Sequence, residues 1–209
     1  MVKLLAVADE VDRRLTAARL REIQPAIVVS CGDLPPDYLD FVCTAANAPL
    51  LYVPGNHDPD HRQAPNPHQI TNIPPPPPGV NIDGSIVVDH GLRIAGLGGS
   101  VRYRPGPNQR TQAQMRRKVR SMIGRARIRG IGRVRPLDVF VAHAPPRRVG
   151  DEDDPAHQGF DAYHRLIEAF TPRVMIHGHI HPHGFSKPDR QIGETTIMNV
   201  IPSRIIELP

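Results

Sequence analysis

At 209 residues the chain is one domain's worth, or at most two small ones, and long enough to bury a core without disulfide staples. Its 24 prolines and 17 glycines are about a fifth of the chain, and the two cysteines, Cys31 and Cys43, exclude a disulfide framework. The net charge of +5 is unevenly spread: 13 Arg or Lys and no acid lie between His90 and Leu137, against 13 basic and 21 acidic residues elsewhere.

Val2 to Ala8 is a short apolar run that ends at acidic residues, the pattern of a buried strand whose end presents chemistry. Arg13 to Ile23 reads as a helix stopped by Pro25, and Ala26 to Cys31 as a second strand ending at Gly32-Asp33. Asp37 to Ala46 reads as a second helix behind two prolines, and Leu50 to Val53 as a third strand ending at Pro54-Gly55-Asn56-His57-Asp58. Strand, helix, strand, helix, strand is the order of an α/β sheet.

Pro59 to about Asn81 reads as loop, with Pro74 to Pro78 as a stiff surface connector. Ile86 to Val88 and Leu92 to Leu97 then form a hairpin around Asp89-His90-Gly91. Met115, Val119, Met122 and Ile123 recur at helical spacing within the basic block. Asp138 to Ala142 is a strand leading to His143, and a helix from about His157 to Phe170 buries Phe160, Tyr163, Ile167 and Phe170. Arg173 to Ile176 is a strand ending at Gly178-His179-Ile180-His181, and two late strands, about Thr195 to Val200 and Arg204 to Leu208, follow it.

Five segments share one design, in which an apolar strand ends and the next loop opens with a metal-ligating type of side chain. They are Asp9, Gly32-Asp33, Gly55-Asn56-His57-Asp58, His143 and Gly178-His179-Ile180-His181. In this order they resemble the calcineurin-like metallophosphoesterase superfamily, and its small bacterial branch in Gly-Leu-Gly-Gly-Ser and His-Ala-Pro-Pro as well. The resemblance implies a four-layer α/β sandwich of two mixed sheets flanked by helices, in a single domain over 1–209 with a basic insert at about 99–136. It also implies a phosphomonoesterase or phosphodiesterase using two divalent ions, Mn or Fe first, with Zn, Ni, Co or Mg as alternatives. Hard cations of this kind take carboxylate and imidazole ligands.

Carried over position by position, Asp33 would bridge the ions. Asp9 and His181 would complete one site, and Asn56, His143 and His179 the other. His57 would be the catalytic acid toward the leaving oxygen, oriented by Asp58. The pattern departs at Val11, where the superfamily usually has a histidine. Glu10, Asp12 or water are the replacements, with water favoured because a short loop rarely redirects a neighbouring side chain into the same slot. The Asp9/His181 site should therefore be the weaker one.

Ser100, Arg102 and Tyr103 follow Gly98-Gly99 in a segment that approaches the metals in related enzymes, and are the expected substrate-binding residues. The partner is a phosphorylated small molecule or nucleotide. The departure at Val11 keeps an inactive scaffold as an alternative, and the basic block keeps nucleic acid as another. His61, His68, His90, His157 and His164 are expected at the surface, and His177 packed. No apolar run approaches the roughly 20 residues of a membrane span, which leaves a soluble, cytoplasmic protein as the expectation.

Overall fold

The computed structural model describes residues 1–59, 76–130, 136–182 and 187–209. His61, His68, His183, Arg133, Arg135 and the first two of the five consecutive prolines lie outside the described residues.

In chain order the elements are β1 (Val2–Val7), α1 (Ala17–Ile23), β2 (Ile27–Ser30), α2 (Pro36–Ala46), β3 (Leu50–Tyr52) and β4 (Val80–Asn81). Next come β5 (Ile86–Asp89), β6 (Leu92–Leu97), β7 (Ser100–Val101), β8 (Gln109–Arg110), α3 (Gln112–Arg129) and β9 (Val139–Ala142). The remainder is α4 (Ala162–Phe170), β10 (Val174–His177), β11 (Arg190–Ile192), β12 (Thr195–Asn199) and β13 (Ser203–Leu208).

One sheet has the order β13-β1-β2-β3-β4, parallel except for β13, and the other has the order β11-β12-β10-β9-β6-β5, parallel except at its two edges. Their strands are apolar on both faces because both faces are covered. Leu4, Ala6, Ile27, Val29, Val139, Val141 and Ile176 fill the space between the sheets. Leu5, Val7 and Val28 meet Leu20, Ile23, Leu39 and Val42 of α1 and α2 on one outer face. On the other outer face, Phe140 and Met175 meet Met115, Val119, Met122 and Ile123 of α3 and Tyr163, Leu166 and Phe170 of α4. Each large side chain buried this way contributes about 1.5–3 kcal/mol. The result is a four-layer sandwich of two mixed sheets between helices.

Two helices start later than their apolar spacing suggests. Thr16 caps α1 by accepting from the Arg19 backbone N–H, while the Asp12 carboxylate accepts from the Arg14 backbone N–H and holds the preceding turn out of the helix. Phe160 stays outside α4 because it bridges to Pro146. The basic block supplies α3, opened by a capping box between Thr111 and Gln114. In the β5–β6 hairpin, His90 and Gly91 both have positive φ, at 45° and 79°, as a two-residue turn between twisted strands requires. Among the described residues no helix is long and apolar enough to cross a membrane.

Candidate metal centre

The C-terminal ends of β1, β2, β3, β9 and β10 meet along one edge of the sandwich. Gly178 N–H donates to the His143 carbonyl at 3.0 Å and Asp9 N–H to the Gly32 carbonyl at 3.1 Å, which ties neighbouring ligand loops together within each sheet. Asp9, Asp33 and His143 come together there, each offering one ligand atom, with all of these atoms within 4.8 Å of one another.

Each carboxylate is held by backbone N–H groups of another loop. Asp9 Oδ2 accepts from His179 N–H at 2.9 Å, and Asp33 Oδ1 accepts from His57 N–H at 2.8 Å. Such close approach requires glycine at two places. A Cβ on Gly55 would fall 2.0 Å from Asp33 Oδ1, and one on Gly178 would fall 2.0 Å from Asp9 Oδ2.

His143 is fully buried and ringed by oxygen. Its Nδ1 lies 2.8 Å from the Cys31 carbonyl, and its Nε2 lies 2.9 Å from Asn56 Oδ1 and 3.3 Å from Asp33 Oδ2. Burial alone would lower its pKa, but the Asp33 and Asp9 charges outweigh it and raise the ring to about 9. Burial pushes Asp33 up, yet the His143 charge and hydrogen bond bring it down to about 2. Asp9 lacks so close a cation, and burial raises it to about 6.

His179 donates through Nε2 to the Ala156 carbonyl at 2.8 Å, which leaves Nδ1 as its lone-pair nitrogen. Burial, then the His143 charge, lowers its pKa to about 3 and keeps the ring neutral. Its ring lies 4.8 Å from that of His143 and 5.5 Å from that of His157, centroid to centroid.

A family model described as calcineurin-like phosphoesterase matches residues 6–183. The chain belongs to that family. No curated protein matches it in sequence. Solved structures that share the fold include a crystal structure at 17% identity and TM-score 0.61, covering 94% of this chain and 89% of the other, and TT1561 of Thermus thermophilus. The second is 15% identical at TM-score 0.60, covering 94% of this chain and 87% of its own. The family is generally hydrolytic toward phosphoester bonds and binds a dinuclear metal centre.

The residues present fit a divalent cation. Oxygen acceptors face both nitrogens of His143, so the site calls for positive charge there, from a second ring proton or from a cation bound by Nε2. Asn56 Nδ2 is buried without a partner among the described residues. The donors are carboxylate, imidazole and amide, a hard set.

Other site residues of this family member are placed differently from the sequence reading. His181 lies outside the three-residue cluster, with Nδ1 2.8 Å from Glu10 Oε1 at the surface. Val11 is exposed, and Asp12 does not substitute for it. The Asp12 carboxylate is taken up by Arg14 at 2.9 Å and by the Ser203 hydroxyl. Asp58 does not hold the His57 ring. Its Oδ2 accepts from Gly55 N–H at 2.7 Å and Asp33 N–H at 3.0 Å, and among the described residues no hydrogen bond joins it to that ring. It braces the two ligand loops, while the His57 side chain stands exposed.

Ser100 has no exposed surface and its hydroxyl donates to Val101, so it cannot touch a substrate. Arg102 is exposed and leans on Gln109 and Gln114, and Tyr103 carries Arg104 above its ring at 5.3 Å. Neither makes a hydrogen bond to a ligand side chain among the described residues.

Two features escaped the sequence reading. Asn108, buried on the β7–β8 segment, donates to the Asp58 carbonyl at 2.9 Å. His157, expected at the surface, is half-buried with its ring against that of His179 and its Nδ1 on the Asp154 carboxylate. His90 is exposed beside Asp89, and His177 is packed with Nδ1 on the Gly178 carbonyl, both as expected. His164 is half-buried on the Arg147 carbonyl.

Proposed function

We propose that the protein hydrolyses a phosphomonoester or phosphodiester of a small molecule or nucleotide, using two divalent ions, manganese or iron, bound among Asp9, Asp33, Asn56, His143, His179 and His181. The observation that carries this reading is the cluster of buried His143 with half-buried Asp9 and Asp33 on the strand ends of both sheets, with Asn56 against the imidazole. When bound, the ions neutralise phosphoryl oxygens and make water a nucleophile at neutral pH.

The chain's own residues do the rest. Asp33 and Asp9 are anchored before any ligand arrives, which lowers the cost of ordering the site. His57 N–H donates to Asp33 Oδ1, so its exposed ring sits beside the expected bridging carboxylate and can donate a proton to the leaving oxygen. Asp58 fixes the loop that carries it. Arg102 and Tyr103 form an accessory wall for the substrate on the segment that Asn108 ties to that loop.

A scaffold without turnover is the second reading, carried by Val11 and by the place of His181 outside the three-residue cluster. Hydrolysis of p-nitrophenyl phosphate or its bis ester with added Mn²⁺, lost in Asn56→Ala, separates the two. Cys31 and Cys43 are both unpaired, which supports a reducing compartment such as the cytoplasm.

A further inference from the structure

The arginines of α3 are not at the metal centre. α3 starts beside β8, near the ligand loops, and runs back along the outer face of the second sheet for about 27 Å at 1.5 Å per residue. Its apolar stripe is spent on the core, and six arginines remain exposed on it: Arg116, Arg117, Arg120, Arg125, Arg127 and Arg129.

Of the arginines elsewhere in the chain, Arg14 pairs with Asp12, Arg147 with Asp151, Arg173 with Asp138 and Arg204 with Asp189. None of the six on α3 has an ion pair among the described residues; Arg125 donates only to the Ser121 hydroxyl and the Gly84 carbonyl. The helix contains no Asp or Glu, and the nearest acids on its α4 side are Asp161 and Glu168, which line a groove with Arg127. Arg116 and Arg120, like Arg125 and Arg129, are like charges at i,i+4 and weaken the helix by a few tenths of a kcal/mol per pair. An uncompensated field of this kind is a cost to the free protein that a polyanion removes.

We infer that the outer face of α3 is a docking surface for double-stranded nucleic acid, separate from the metal centre and read through the phosphate backbone. Three observations favour a duplex. Arg116, Arg117, Arg120 and Arg127 fall within about 100° of the helix circumference and span about 16 Å along its axis, one continuous row of charge for a phosphate backbone, while Arg125 and Arg129 turn to the β5 side. The helix has no aromatic residue, so it offers no stacking platform for single-stranded bases. Its large apolar side chains, apart from the exposed Ile128, are turned into the protein, so it has no face to sink into a membrane.

The test is fluorescence anisotropy of a labelled 24-base-pair DNA duplex with the full chain at several salt concentrations. Binding should weaken with log–log salt slope near −0.9 per contacted phosphate, about −3 to −5 overall. Arg116→Glu, Arg117→Glu and Arg120→Glu together should cut affinity at least 30-fold without lowering the melting temperature. Asn56→Ala and added EDTA should leave binding unchanged, so success or failure is independent of the phosphoesterase reading. No duplex binding at 50 mM salt, equal binding by the triple variant, equal affinity for the single strand, or equal capture by phosphatidylserine vesicles would each overturn the inference.

Discussion

Asn108 Nδ2 donates to the main-chain oxygen of Asp58 at 2.9 Å, across 50 residues of sequence, and so clamps the β7–β8 segment onto the loop that carries Asn56 and His57. Asn108 has φ 52°, in the left-handed region that asparagine and glycine tolerate. Asn108→Gly keeps that backbone and deletes only the clamp. One hydrogen bond of about 1 kcal/mol corresponds to a five- to tenfold fall in kcat with KM little changed, measurable by steady-state kinetics on a chromogenic phosphoester.

Gly178→Ala puts a Cβ 2.0 Å from Asp9 Oδ2, and Gly55→Ala does the same to Asp33 Oδ1. Neither carboxylate can retreat without giving up its backbone donor, His179 N–H or His57 N–H. Each variant should lose metal affinity by at least tenfold in calorimetric titration and cost about 1–3 kcal/mol in denaturant unfolding. Wild-type affinity in either would show that the loops adapt where the geometry says they cannot.

Asp12 binds Arg14 within the first ligand loop and links that loop to β13 through the Ser203 hydroxyl. The Arg14 hydrogen bonds hold its carboxyl down at about 2, below its ordinary 3.8. A carboxyl lowered by folding contributes stability that is present above its unfolded pKa and lost as pH falls through its folded one. Wild type should therefore melt above Asp12→Asn at pH 5–7, and the gap should close between pH 4 and pH 2. A gap that stays constant over that range would mean the charge of Asp12 contributes nothing.

The two ions should bind unequally. Val11 offers no ligand, Asp12 is committed elsewhere, and His181 lies outside the Asp9, Asp33 and His143 cluster. Titration of the apoprotein with Mn²⁺ should give one tight and one weaker event, and Glu10→Ala, which removes the carboxylate that orients the His181 ring, should change only the weaker. Two equally tight ions would contradict this.

The strand ends were legible in the sequence because an apolar run that stops at Asp, Asn or His declares both the element and its chemical end. Asp9, Asp33, Asn56, His143 and His179 are all found on one edge for that reason. What was not legible depends on contacts distant in sequence. Whether Asp58 faces His57 or the Gly55 and Asp33 amides is decided by the approach of two loops, and the burial of Ser100 by the docking of β7 against β8 and Asn108. The direction of the arginines was hidden as well. Met115, Val119, Met122 and Ile123 turn α3 onto the second sheet and leave its charges on the outside of the sandwich, away from the ligand loops.

The central claim is tested most directly by hydrolysis of bis(p-nitrophenyl) phosphate and p-nitrophenyl phosphate by the metal-free protein resupplied with Mn²⁺. The account predicts turnover of at least one ester that is abolished by EDTA, reduced at least a hundredfold in His57→Ala, and lost in Asn56→Ala while both variants keep the wild-type melting temperature. Full metal binding without turnover of either ester, or of a wider panel of phosphomonoesters and diesters, would contradict it and leave the scaffold reading.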